Sequence, residues 1–123
     1  MKFGLKETVI GQIQSVFARY PQVERAILYG SRAKGPCKTG SDIDLALVGG
    51  DDLNLKVLYR IMDDMDDLLL PYSFDLSILR YIGDPEVVDH IRRVGKLFYQ
   101  KAAEPAPQEP LPPENGNAAT KES

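Results

Sequence analysis

Residues 28–46, LYGSRAKGPCKTGSDIDLA, contain a short apolar run, a basic glycine-containing loop and a second apolar run preceded by an aspartate. The first run stops at Gly30 and the second begins at Ile43, so both have the length of buried strands. Side chains two positions apart on a strand share a face, and Asp42 and Asp44 should therefore project together. Neighbouring carboxylates repel each other and resist desolvation unless a cation compensates them.

A third carboxylate is predicted to join this pair. Asp75 interrupts the apolar set of a third predicted strand, residues 74–79, and so faces away from that set. If this strand neighbours the second one, Asp75 can lie beside Asp42 and Asp44. Carboxylate oxygens suit Mg²⁺, which binds one or two carboxylates together with substrate phosphates. Three carboxylates at one sheet edge fit a two-metal site for phosphoryl or nucleotidyl transfer.

The loop after the first strand has the features of a phosphate-binding turn. Gly30 lets the backbone approach a bulky ligand, and the Ser31 hydroxyl and amide can hold phosphate oxygens. Pro36 stands where a P-loop requires lysine, so the spacing of the glycines does not indicate a standard P-loop. The basic side chains of the loop can neutralise a triphosphate, although each can equally serve only to solvate the loop: Arg32, Lys34 and Lys38.

The remaining periodicity predicts the order α-β-loop-β-α-β-α, an α/β (α+β) layered domain. Asp84 is the predicted N-cap of the last helix, with Pro85 at its first position and an apolar stripe that extends to Phe98. The other predicted elements are a helix ending before Pro21, strands at 26–29 and 43–48, a loop over 31–40 with a short helical start, and a helix around 58–69.

Residues 28–35 and 40–46 resemble the signature of the DNA polymerase β-like nucleotidyltransferases. Within that superfamily the chain is similar to the minimal nucleotidyltransferase (MNT) antitoxins, and the similarity runs from about Pro21 to Asp75. Its elements are the Gly-Ser pair after a strand, a gap of ten residues, and the D-x-D of Asp42 and Asp44.

The resemblance implies a mixed sheet with helices packed on one side and a Mg²⁺ site on Asp42, Asp44 and Asp75. It further implies that Gly30 and Ser31 hold the β,γ-phosphates of an NTP, and that Asp75 orients or deprotonates the acceptor hydroxyl. Relatives of this kind pair with HEPN ribonuclease toxins, and some transfer AMP from ATP to a toxin tyrosine. The implied protein is a protein adenylyltransferase that forms a hetero-oligomer with a HEPN-type toxin.

Two other functions remain open at this stage. One is a non-catalytic antitoxin that neutralises its partner by occlusion, and the other is nucleotidyl transfer to a small molecule. An acidic set in the fourth predicted element admits a second metal site, but a solubilising face or a docking face for a basic partner is simpler: Asp63, Asp64, Asp66 and Asp67.

Composition limits the rest of the prediction. The chain has 123 residues and a formal net charge of −3. Residues 102–123 are rich in Pro and Glu, carry that net charge of −3 between them, and are predicted to be a disordered tail after a domain at 1–101. The nearly neutral domain does not favour direct nucleic-acid binding. A single cysteine and the lack of a membrane-length apolar run favour a cytoplasmic protein with no membrane association.

Overall fold

The computed structural model describes residues 2–35 and 42–102. Part of the predicted loop, residues 36–41 with Cys37 and Lys38, and nearly all of the predicted tail, residues 103–123, lie outside the described residues. The elements follow in the order α1 (Glu7–Ala18), β1 (Val23–Tyr29), β2 (Ile43–Gly49), α2 (Leu55–Asp67), β3 (Phe74–Ile78), a short 3-10 helix (Leu79–Tyr81), α3 (Pro85–Val94) and β4 (Lys96–Gln100).

The four strands form one mixed sheet in the order β3-β2-β1-β4. β1 is antiparallel to both β2 and β4, whereas β2 and β3 are parallel and are connected through α2. The predicted mixed sheet is therefore confirmed, and so is the predicted adjacency of the second and third strands.

One face of the sheet carries the main core. Leu28 pairs with Leu45, and Leu45 pairs with Leu76, so apolar side chains run across three strands on this face. α1 and α2 cover it, and each contributes four buried residues to the core: Ile10, Ile13, Val16 and Phe17 from α1, and Val57, Leu58, Ile61 and Met65 from α2. Because successive side chains of a strand point to opposite faces, the polar residues that alternate with these core residues lie on the other side of the sheet.

The predicted packing of helices on one side holds for α1 and α2, but α3 lies against the opposite face. Its Ile91 is buried, and a β-carbon at Gly95 would lie 2.6 Å from Cγ2 of Ile27, a residue that alternates with the core positions of β1. The start of α3 agrees with the prediction, because the Asp84 carboxylate accepts a hydrogen bond from the Glu86 amide at 2.9 Å.

The prediction that the last helix continues to Phe98 is wrong. α3 ends at Val94, and residues 96–100 form an edge strand whose Phe98 enters the core. The Gln14 side chain donates a hydrogen bond to the Phe98 carbonyl at 2.8 Å, which satisfies one backbone group of this edge. The prediction failed because apolar residues keep helical spacing across Gly95. Glycine is common at the C-terminal ends of helices, so Gly95 indicated that the helix ends there.

Candidate functional site

The three predicted carboxylates lie on the face opposite the main core. Asp44 on β2 pairs with Asp75 on β3 and with Tyr29 on β1, so one register row crosses three strands. Asp42 lies directly before β2, two residues from Asp44. Asp42 and Asp75 are exposed and Asp44 is half-buried. The row presents its carboxylates at the end of the sheet where β2 and β3 begin.

Asp44 is electrostatically strained in this position. Partial burial raises the pKa of its carboxyl above the ordinary value, and the nearby charges of Asp75 and Asp42 raise that pKa further. Each of these effects disfavours the ionised carboxylate. A cation placed among the three side chains would reverse the effect of the two neighbouring carboxylates.

Gly30 is required by this arrangement for two reasons. Its φ is +76°, a left-handed conformation that glycine adopts without steric cost. A β-carbon at this position would also overlap Oδ2 of Asp44. The lack of a side chain therefore lets the turn after β1 pass directly against the second carboxylate of the D-x-D pair.

The residues after Gly30 form two overlapping turns rather than a helix. The Ala33 amide donates to the Gly30 carbonyl at 3.2 Å, and the Lys34 amide donates to the Ser31 carbonyl at 3.2 Å. Ser31 and Lys34 are exposed beside the site. Their exposure leaves the hydroxyl and ammonium groups accessible to solvent at the turn that follows β1.

Arg32 points inward, unlike the other predicted phosphate-binding side chains. It is 3% exposed, and its Nη1 donates a hydrogen bond to the Phe3 carbonyl at 2.9 Å. Its guanidinium lies 5.2 Å from the centroid of the Tyr72 ring. These contacts connect the turn to the N-terminal segment and to the residues before β3, which gives Arg32 a role in holding the turn in place.

The site includes Tyr29, which the sequence prediction did not include. Its ring contacts the His90 ring edge-on with centroids 6.5 Å apart. Burial raises the pKa of the Tyr29 hydroxyl, and the charges of Asp75 and Asp44 add to the increase. Its position directly before the Gly-Ser pair was the available signal.

The donor set suits Mg²⁺ in its chemistry. Asp42, Asp44 and Asp75 supply only hard carboxylate oxygens, and their mutual repulsion is the electrostatic condition that a divalent cation relieves. In residues 2–35 and 42–102, no three His, Cys, Asp or Glu side chains are drawn together closely enough to enclose a metal ion. The open arrangement suits an ion whose coordination is completed by substrate phosphates better than an ion that is held by protein side chains alone.

In the part of the chain that the structure describes, no helix combines the length and the apolar character needed to cross a membrane.

Comparison with known structures identifies the same fold elsewhere. The chain is similar to a toxin–antitoxin complex with AMP-PNP, with 22% identity over 75% of this chain and 73% of that one and a TM-score of 0.61. A structure described as a minimal nucleotidyltransferase aligns with 21% identity over 78% of this chain and 95% of that one, with a TM-score of 0.59.

A third neighbour is a complex of a tri-AMPylated HEPN toxin from Shewanella oneidensis with its MNT antitoxin. Its alignment has 19% identity, covers 76% of this chain and 68% of that one, and gives a TM-score of 0.52. At these identities the similarities establish the fold. Comparison with functionally curated proteins gave no match.

The model of the polymerase β nucleotidyltransferase family matches residues 11–104, a stretch that contains the Gly30 turn and all three carboxylates. The chain therefore belongs to the polymerase β nucleotidyltransferase family.

Proposed function

We propose that this protein transfers AMP from ATP to a hydroxyl group of a HEPN-type toxin, a tyrosine hydroxyl in particular, and thereby acts as an antitoxin. The observation that carries the proposal is the row of Asp44 and Asp75 on adjacent strands, with the Gly30 turn against Asp44. This arrangement combines carboxylates whose repulsion a cation would relieve with a backbone turn that has no side chain at Gly30.

Each side chain has a distinct role in the proposal. Asp42, Asp44 and Asp75 hold Mg²⁺, which supplies charge compensation for the phosphates and the attacking oxygen. The turn at Gly30 and Ser31 holds the β- and γ-phosphates through backbone amides and the serine hydroxyl. Lys34, exposed on the same turn, adds positive charge beside the terminal phosphates. Arg32 contributes to phosphate binding indirectly, because its hydrogen bond to Phe3 holds the turn in position.

The reaction forms one bond and breaks one bond at the α-phosphorus. The acceptor oxygen attacks that atom, and pyrophosphate leaves with the electrons of the broken phosphorus–oxygen bond. Asp75 is exposed on an edge strand and is the carboxylate best placed to take the acceptor proton. An acceptor that is part of a protein can reach this edge without entering a closed cavity.

Support for a protein acceptor comes from the neighbours. One of them is a toxin–antitoxin complex with AMP-PNP, and another contains a tri-AMPylated HEPN toxin. The open position of Asp42 and Asp75 agrees with an acceptor supplied by a separate protein, because the described residues leave these carboxylates accessible.

The test is transfer of label from α-labelled ATP and Mg²⁺ to a co-purified HEPN-type partner, followed by intact mass analysis. We expect the partner to gain one or more AMP units. The variant D42N/D44N should bind the partner with unchanged affinity and transfer nothing. A tight complex that shows no transfer with any of the four NTPs would favour neutralisation by occlusion instead.

A further inference from the structure

α2 exposes an apolar surface that the core does not use. Leu55, Tyr59 and Met62 are 47%, 57% and 38% exposed, although the neighbouring Leu58 and Ile61 are buried. Positions 55, 59 and 62 have the spacing of residues on one side of a helix. These three residues, called the α2 stripe below, therefore form a continuous apolar strip along the outer side of α2.

The α2 stripe leads into a cavity of about 310 Å³ between α2 and the start of β3. Met62 belongs to both the stripe and the cavity lining, and Phe74 and Leu76 of β3 form part of the opposite wall. β3 is an edge strand of the sheet. An apolar surface thus extends from the helix to the free edge of the sheet, on the face opposite the one that carries Asp75.

The charges at the C-terminal end of this surface are acidic, whereas Lys56 and Arg60 lie towards its N-terminal end. Asp63, Asp66 and Asp67 are exposed, and within the described residues none of them forms a salt bridge. The last turn of α2 contains no basic residue, so its carboxylates also face the partial negative charge of the helix C-terminus. Asp64 differs, because it accepts a hydrogen bond from Tyr20 at 2.5 Å and lies 3.5 Å from Arg19.

We propose that the α2 stripe and its cavity dock a segment of the protein partner that presents an apolar side chain flanked by lysine or arginine. The apolar side chain enters the cavity beside Met62, and the basic groups meet Asp63 and Asp66. Charge complementarity selects this occupant, since a basic group is what the last turn of α2 lacks. The inference rests on the proposed function, in which the partner is a protein with an acceptor hydroxyl.

Docking at this place would position the acceptor. Phe74 and Leu76 line the cavity on the α2 face of β3, and Asp75 between them in sequence points to the opposite face. Because β3 is an edge strand, a partner seated in the cavity can extend around this edge and bring adjacent residues to the carboxylate that is proposed to take the acceptor proton. The docking surface and the transfer site would then recognise one macromolecule at two neighbouring places, which raises the effective concentration of the hydroxyl.

The experiment uses the full chain and its HEPN-type partner. Variants Y59S/M62Q and D63K/D66K alter the apolar and the acidic parts separately, and V87S, at an apolar position of α3 that is 36% exposed, is the matched control. Calorimetric titration should show at least tenfold weaker partner binding for each of the two double variants and unchanged binding for V87S. The KM for ATP should be unchanged in all three, and far-UV circular dichroism should show wild-type helix content.

The outcomes separate this inference from the proposed function. If wild-type protein binds and modifies the partner while both double variants bind it equally well, the docking surface is refuted and the function stands. If D42N/D44N and wild type bind alike but neither transfers AMP, the function is refuted and the docking surface is still judged by its own variants. A concentration-dependent dimer of the free chain that Y59S/M62Q abolishes would show a second copy as the occupant and overturn the proposal.

Discussion

Oδ2 of Asp44 occupies the space in which a β-carbon on residue 30 would lie. The turn that is proposed to hold phosphate and the carboxylate that is proposed to hold the cation are therefore in direct van der Waals contact. Any side chain at position 30 must displace one or the other, and this relationship makes the backbone of Gly30 part of the site.

Replacement of this glycine is the sharpest test of that contact. G30A should reduce nucleotidyl transfer by about 100-fold, because small misplacements of reacting groups cost that much. It should also lower the free energy of unfolding by roughly 1–2 kcal/mol, since alanine is disfavoured at positive φ. The measurements are transfer rate and urea unfolding. G83A, at a glycine whose β-carbon would meet open space, is the control and should change stability by less than about 0.5 kcal/mol.

Asp44 is predicted to cost stability when no cation is present. Its pKa is raised by burial and by Asp75 and Asp42, so the folded state disfavours the ionised form that dominates at neutral pH. D44N should therefore unfold at a higher temperature than wild type at pH 7 without Mg²⁺. The expected gain in the free energy of unfolding is about 0.5 kcal/mol, the size typical of like charges directly opposite each other on neighbouring strands. It should have no transferase activity.

The pH dependence of this difference follows from the sign of the shift. Below about pH 3.9, the ordinary value for an aspartate, the side chain is protonated in both the folded and unfolded states, and wild type and D44N should be equally stable apart from pH-independent effects. Wild type should then lose stability relative to D44N as pH rises. Thermal melts from pH 3 to 7 would measure this, with E24Q on an exposed strand position as the control. A constant difference across that range would contradict the electrostatic explanation.

Substitutions at Arg32 and Lys34 should distinguish a residue that stabilises the turn from a residue that binds the ligand. R32M removes the hydrogen bond to Phe3 and the contact with Tyr72, so the free energy of unfolding should fall by about 2 kcal/mol. K34M, at an exposed position, should leave stability within about 0.5 kcal/mol of wild type. Loss of one charged phosphate contact should instead raise its KM for ATP by roughly tenfold. Wild-type KM in K34M would remove Lys34 from the phosphate site.

Tyr20 and Asp64 connect the end of α1 to α2 and offer a stability test far from the site. Y20F removes the hydrogen bond at 2.5 Å and should cost about 1 kcal/mol, and a double-mutant cycle with D64N should give a coupling energy of similar size. The exposed Tyr59 provides the control Y59F, which should have little effect. Transfer activity should be unchanged in Y20F and D64N.

The same pair predicts an alkaline effect. The hydrogen bond to Asp64 raises the pKa of the Tyr20 hydroxyl, with burial and the Asp64 charge adding to it. The stabilisation is complete below about pH 10, the ordinary tyrosine pKa, and is lost as pH rises through the higher folded-state value. Wild type should therefore lose more stability than Y20F between pH 9 and 11, and equal losses would contradict the assignment.

Much of the site was predictable because its residues obey short-range rules. Alternation along a strand placed Asp42 and Asp44 together, and the parallel neighbour β3 brought Asp75 into the same row. Arg32 could not be assigned in this way, because its partners come from the N-terminal segment and from the residues before β3. A basic residue in a glycine-containing loop has the same sequence signature whether it faces a ligand or the core.

The boundary between α3 and β4 could not be predicted from the spacing of apolar residues. Val94 and Phe98 continue the helical stripe of Val87 and Ile91, yet the helix stops before Gly95 and Phe98 lies in β4. A strand of five residues pairs with β1, which is distant in sequence, and that pairing outweighs the local helical pattern. The end of α3 comes so close to β1 that a β-carbon at Gly95 would meet Ile27, which lies on the face that carries the carboxylates.

The route of the chain through the sheet would also make the proposed binding of ATP and Mg²⁺ depend on complete folding. Gly30 follows β1 and Asp44 lies in β2, its antiparallel neighbour, while Asp75 arrives only when the chain has passed through α2 and added β3 at the edge. A nascent or partly opened molecule in which β3 has not paired would lack one of the three carboxylates. ATP and Mg²⁺ would then bind the finished domain in preference to its precursors and stabilise it, so the substrate itself would favour molecules that are competent to act.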